Sequence, residues 1–136
     1  MDSKDIDYEA LLALALKASE GSYAPYSKYS VGSAILAEDG QVYTGSNVEN
    51  AYIGCSICAE RTAAVKAVSA GVRRFLACAV ACPTDDDCLP CGICRQFLSE
   101  FNRQMMVVVR KGPAGHFVIS LADLLPDVLP QREPCL

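Results

Sequence analysis

The run Phe75-Leu76-Ala77-Cys78-Ala79-Val80-Ala81-Cys82 carries eight residues without a charged side chain. So short a continuous apolar run reads as a strand buried on both faces, which requires covering structure on each side of its sheet. It is far too short to cross a bilayer, which takes about 20 apolar residues. Pro83 and the acidic segment Asp85 to Asp87, a solvated loop, close it.

The flanking patterns supply the rest of an α/β fold. Tyr8, Leu11, Leu12, Ala15 and Leu16 follow the i, i+3, i+4, i+7, i+8 rule of an amphipathic helix stopped at Gly21, and Leu14 off that stripe points to a second buried face. Val31 to Leu36 and Gln41 to Thr44 flank Glu38-Asp39-Gly40, a hairpin turning at Asp-Gly. Cys58 to Val68 is rich in helix formers and ends before Gly71. Pro90 occupies a favoured helix-start position, and a helix runs from Cys91 to Phe101. Met105 to Arg110 and His116 to Ile119 are strands separated by a Gly112-Pro113 turn, and Ser120 caps a last helix through Leu125. The order α-β-β-α-β-α-β-β-α implies a mixed sheet covered by helices.

A chain of 136 residues without repeats or long linkers is expected to form one domain, here residues 5–129 with short tails at 1–4 and 130–136. Hydrophobic residues make up 51% and the mean hydropathy is +0.21, high for so small a globule, so part of the apolar surface is expected to face other subunits. A net charge of -4 and a pI near 4.9 argue against nucleic acid and membrane surfaces as partners. The acidic start Met1-Asp2-Ser3-Lys4-Asp5 differs from a basic signal peptide, and a cytoplasmic protein is expected.

In that compartment the eight cysteines read as reduced thiols, some on a metal, rather than as a disulfide framework. Cys78 and Cys82 fall on the buried strand as small core residues, while Cys55, Cys88 and Cys135 read as free thiols. Cys91 and Cys94, at i and i+3, lie on one helix face and can grip one ion, with Cys58 as a third arm. All three stand at helix starts, where unpaired N–H groups and the dipole favour the thiolate. Three protein ligands leave a tetrahedral ion with one open position, as catalytic zinc requires, and Glu60 beside it can move protons. Three thiolates oppose ionisation of a water there, so a cation nearby helps; Arg61 and Arg95 are adjacent in sequence. Cys55-x-x-Cys58 with Cys91-x-x-Cys94 also fits a closed four-cysteine structural site, which leaves Glu60 unexplained. The single His116 stands far from these motifs and reads as a surface residue.

Cys58-Ala59-Glu60 and Pro90-Cys91-Gly92-Ile93-Cys94 resemble the zinc-dependent nucleoside and nucleobase deaminases in their three-cysteine form. More closely, the chain is similar to the small homotetrameric cytidine deaminases from Tyr23 to Leu129. The further blocks are Ala24-Pro25-Tyr26-Ser27, Val31-Gly32, Asn47-Val48-Glu49-Asn50, Arg61-Thr62-Ala63, Arg95-Gln96 and Leu124-Leu125-Pro126.

This resemblance implies an α/β three-layer α-β-α sandwich around a central mixed five-stranded sheet. It implies one zinc per subunit, bound by Cys58, Cys91 and Cys94, and hydrolysis of cytidine and 2′-deoxycytidine to the uridines with release of ammonia. A zinc-bound hydroxide would attack C4, with Glu60 as proton shuttle, in pyrimidine salvage. Ala59 would help hold the base, Asn47 and Glu49 the ribose hydroxyls, and the segment bearing Tyr29 would lie near the substrate. Arg61 and Gln96 would support the zinc thiolates, and the sites would form at subunit interfaces of a homotetramer. Leu129 stands where the family often has a base-stacking phenylalanine, and Ile53, beside Tyr52, where a tyrosine is common. The alternatives are the same chemistry on another free aminopyrimidine nucleoside, or a non-catalytic zinc-stabilised binding module.

Overall fold

The computed structural model describes residues 5–84, 86–113 and 115–132. Cys135, the expected tail at 1–4 and residues 133–136 of the expected tail at 130–136 lie outside them. The described elements are α1 (Tyr8–Ala18), β1 (Gly32–Ala37), β2 (Val42–Ser46), α2 (Ala59–Ser69), β3 (Phe75–Ala81), α3 (Gly92–Ser99), β4 (Met106–Lys111), β5 (Gly115–Ser120) and α4 (Leu121–Leu124). The strands form one mixed sheet in the order β2-β1-β3-β4-β5. β3 and β4 are parallel, joined through α3, and the other neighbours are antiparallel.

Side chains alternate across the sheet and thereby divide the core in two. Ile35, Cys78, Val80, Val107 and Val109 point to one side, where Ala63, Ala64 and Ala67 of α2, Leu98 of α3 and Leu121 of α4 meet them. Ala34, Leu36, Ala77, Ala79, Ala81 and Val108 point to the other and receive Leu11 and Ala15 of α1. The apolar run of β3 thus sits at the centre of three layers, as its composition predicts.

The alanines on the α1 side are small because the helix lies close to the sheet. Gly32 marks the tightest approach: a Cβ there would come within 1.9 Å of the Ala15 carbonyl oxygen and 2.5 Å of the Ser19 nitrogen. Both are backbone atoms and cannot swing aside, so Gly32→Ala must push α1 off the sheet. We expect a loss of about 3 kcal/mol, the upper end of overpacking costs, read as a fall of roughly 10 °C in melting temperature. An unchanged transition would refute this close packing.

Local signals end most elements where the sequence places them. α2 stops at Gly71, whose φ is +100°, with the Gly71 N–H bonded to Val68 O and the Val72 N–H to Ala67 O at 3.0 Å each. This is a Schellman closure with Val72 buried beneath it. Ser120 accepts from the Asp123 N–H and caps α4 as expected.

Three expectations need correction. α3 ends at Ser99 rather than Phe101, because Asn102 Nδ2 donates to Phe75 O and the Phe101 ring packs on Phe75 at 4.9 Å, which turns the chain back onto β3. Leu14 is exposed, since α1 meets the sheet with one face only. Cys82 and Cys88 are not free thiols: they form a disulfide, because the chain leaving β3 turns back and brings Cys88 against Cys82.

Candidate metal centre and active site

The thiol cluster is built by two helix starts placed side by side beyond β3. Cys58 is the N-cap of α2 and Cys91 that of α3, both in extended conformation, and neither uses its side chain to cap its helix. The sulfurs therefore remain available. Cys94 follows on the first turn of α3 and is fully buried. All three Sγ atoms lie within 4.8 Å of one another, with Cys58 and Cys91 at 3.7 Å.

A tetrahedral ion with metal–sulfur bonds of about 2.3 Å needs sulfurs about 3.8 Å apart, so the Cys58–Cys91 spacing already fits zinc. Soft sulfur donors select the same metal. Among the protein groups themselves, the Cys58 thiol is drawn down to about 5 by its hydrogen bond with Cys94, aided by Arg61 and Cys91 and opposed by burial. Cys94 is pushed up by that same hydrogen bond and by burial. Cys58 is accordingly a thiolate at neutral pH.

Arg61 supplies the neighbouring cation: its Nη2 donates to Cys58 Sγ at 3.6 Å. Its Nε is buried without a hydrogen-bond partner among the described residues. Arg95 is turned away, its Nε donating to Pro90 O at 2.7 Å and its Nη1 to Leu124 O at 2.9 Å. It fixes the chain entering α3 rather than the sulfurs' charge.

Glu60, in the first turn of α2, is only 3% exposed. Burial, reinforced by the Cys58 charge, raises its carboxyl to about 7, with a bond to its own backbone and Arg61 opposing. A carboxyl that titrates near neutrality can both take and give a proton there. It lines a cavity of ≈ 310 Å³ together with Cys58, Cys91, Ala59, Asn47 and Tyr29. Ala59 is the first residue of α2, so its backbone N–H has no partner within the helix and can serve a ligand.

Asn47 is held firmly: its Oδ1 accepts from Val31 N at 2.9 Å and from Ser22 Oγ, and its Nδ2 donates to Tyr29 O at 2.8 Å. One Nδ2 hydrogen remains to be donated. Glu49 lines a second cavity of ≈ 530 Å³ with Tyr26, Ser27 and Ile53, not the one that holds Glu60. Its carboxylate accepts from Tyr26 N at 3.0 Å, Ser27 N at 3.1 Å and Ser27 Oγ. These bonds, the Ser27 hydroxyl foremost, lower its pKa.

Among the described residues the Gln96 amide makes no hydrogen bond to a thiol. Gln96 stands two residues after Cys94, roughly 200° further round α3, and its amide pairs with the backbone of Leu129. Its Oε1 accepts from Leu129 N at 3.0 Å and its Nε2 donates to Leu129 O at 3.4 Å. Leu129 is thereby pinned at the surface with its side chain 74% exposed, and Ile53 is 86% exposed.

Sequence reasoning missed Ser22 and Ser27, which orient Asn47 and Glu49, and also Asp87, Cys88 and Leu89, which complete the cavity wall. The available signal was the pair Cys82 and Cys88 flanking the turn after the buried strand.

Residues 5–110 match the family model for the cytidine and deoxycytidylate deaminase zinc-binding region. The chain is 45% identical over 129 residues to a cytidine deaminase of Sporosarcina psychrophila, an alignment covering 94% of this chain and 95% of that protein. Its fold superposes on the crystal structure of cytidine deaminase from Burkholderia pseudomallei with a TM-score of 0.85 at 42% identity, covering 91% of this chain and 100% of that one. The corresponding structure from Mycobacterium tuberculosis gives a TM-score of 0.82 at 37% identity, covering 93% and 100%. With its thiol cluster and buried glutamate inside the matched region, the chain belongs to the cytidine and deoxycytidylate deaminase family.

Proposed function

We propose that the chain hydrolyses the exocyclic amino group of cytidine and 2′-deoxycytidine, giving uridine or 2′-deoxyuridine and ammonia, in pyrimidine salvage in the cytoplasm. The observation that carries this reading is the buried Glu60 carboxyl, set beside three clustered thiols in a cavity able to admit a ligand. Cys58, Cys91 and Cys94 would hold one zinc per chain. When bound, zinc brings the ionisation of a water into the neutral range.

Glu60 takes the proton released by the attacking water, passes it to ring N3, and then carries a proton to the departing amine as the C4–N bond breaks. Water adds at C4 and ammonia leaves, so the atoms balance. The Ala59 N–H can donate to the base. The remaining Nδ2 hydrogen of Asn47 and the unfilled acceptor position of the Glu49 carboxylate suit sugar hydroxyls. Asn47, in the wall of one cavity, and Glu49, in the wall of the other, are two residues apart in the chain, which supports their serving one ligand. Arg61 offsets the charge of the thiolates.

The exposed Tyr52, Ile53, Ile93 and Leu129 favour association into a homotetramer that shares its sites between subunits. The aliphatic Leu129 supports a second reading, in which another free aminopyrimidine nucleoside is preferred.

Loss of cytidine absorbance by purified, zinc-quantified protein tests the proposal. Conversion to uridine is expected, with deoxycytidine also accepted. A zinc-loaded chain inert towards both but active on another aminopyrimidine nucleoside would establish the second reading. Inertness towards all of them would leave a binding module.

A further inference from the structure

The Cys82–Cys88 disulfide plays no part in the steps above, yet it stands in the wall of the same cavity. Cys82 directly follows β3, and its carbonyl accepts from Arg110 Nη1 at 3.0 Å, so this end is fixed to the sheet. Cys88 lies three residues before Cys91 and lines the cavity with Leu89. In contact with them, Tyr29 Oη donates to Asp86 Oδ2 at 3.4 Å and lies 3.3 Å from Cys82 Sγ and 3.4 Å from Cys88 Sγ. Tyr29 is tied in turn to Asn47 through its carbonyl. The cross-link therefore joins the sheet to the chain leading into the thiol cluster, and Tyr29, bonded to Asn47, touches both of its sulfurs.

We propose that Cys82–Cys88 is a redox modification site that sets substrate affinity. Closed, it holds Cys88 and Leu89 as a fixed wall against Tyr29. Opened, it releases that wall from the sheet, and a ligand must then pay the entropy of ordering it. The proposal rests on this cavity being the substrate site.

The chemistry is thiol–disulfide exchange with a dithiol reductant. Its thiolate attacks Cys88 Sγ, the more accessible sulfur at 7% residue exposure against 0% for Cys82. The Cys82 sulfur leaves and takes a proton, and the reductant's second thiolate then displaces the Cys88 sulfur, which is protonated. Two electrons and two protons pass to the chain, and the dithiol ends as a cyclic disulfide. Oxidation of the pair by a disulfide reverses each step.

The test compares zinc-loaded protein reduced by a phosphine with protein reoxidised by an oxidised dithiol. Alkylation under denaturing conditions and intact mass count the thiols, metal analysis follows zinc, kinetics give KM and kcat for cytidine, and calorimetry gives the Kd of uridine. Reduction is expected to free two further thiols and to raise KM and the uridine Kd about fivefold, the effect of losing roughly one good contact. The value of kcat should stay within about twofold and zinc should not change, a split that damage to the metal centre would not give. The double variant Cys82→Ser/Cys88→Ser is expected to show the reduced-state constants under both conditions. If that variant does not fold, the two states of the unmodified chain decide alone.

Equal KM and Kd in the two states, or a full set of alkylated cysteines after oxidation, would overturn the proposal while leaving the substrate reading intact. Failure of both states to turn over cytidine or bind uridine would overturn the substrate reading and this proposal with it.

Discussion

Glu60→Gln is expected to lower cytidine turnover about a thousandfold, within the usual range for removing a general acid–base, while zinc stays at about one per chain. The amide keeps the size and shape of the carboxyl but cannot carry a proton. Glu60 is outside the thiol cluster, so the metal loses no ligand. The residue is 3% exposed and its carboxyl is raised to about 7, so it is the group placed to carry protons in that cavity. Absorbance assays beside metal analysis read both quantities. Turnover within tenfold of the parent would remove Glu60 from the proposed reaction. Loss of zinc together with activity would mean that the residue holds the site together instead.

Cys94→Ala should have the larger effect on the protein itself. Cys94 is fully buried in the first turn of α3, and its removal leaves Cys58 and Cys91, too few for a stable tetrahedral site. Zinc content is expected to fall to background and turnover with it. Metal binding is coupled to folding stability, so the parent chain should melt at a higher temperature with zinc than after chelation. The variant should melt at the same temperature with and without zinc, and thermal scans at several zinc concentrations would show this. Retention of stoichiometric zinc would refute the three-thiol centre.

These two residues were legible because their signals are local. Cys58-Ala59-Glu60 and Pro90-Cys91-Gly92-Ile93-Cys94 place thiols at helix starts by spacing alone, and both helices begin within a residue of the expected position. The buried strand at Phe75, the Gly71 stop and the Ser120 cap are set by the same kind of short-range chemistry. Arg61 and Arg95 were equivalent candidates in the sequence. They separate only because one turn of α2 carries Arg61 onto Cys58, whereas Arg95 reaches across to Leu124, 29 residues away.

What required the folded chain was decided by partners distant in sequence. The α3 end answers to Phe75, 27 residues before Asn102, and no helix propensity in the segment records that contact. Gln96 serves Leu129, 33 residues on, because the C-terminal segment returns along α3. Asn47 and Glu49 look alike in a short polar motif, yet they line different cavities because side chains two residues apart in an extended chain do not share all their neighbours.

The sequence by itself determined the three-layer pattern, the helix starts and the placing of Cys58, Glu60, Cys91 and Cys94 at them, since hydrophobic period, caps and i, i+3 spacing act within a few residues. Only the tertiary structure decided which cation faces the sulfurs, where Glu49 and Gln96 point, and that Cys82 and Cys88 meet beside Tyr29. Those facts depend on how β3, α2 and α3 pack, and packing joins atoms that the chain holds far apart.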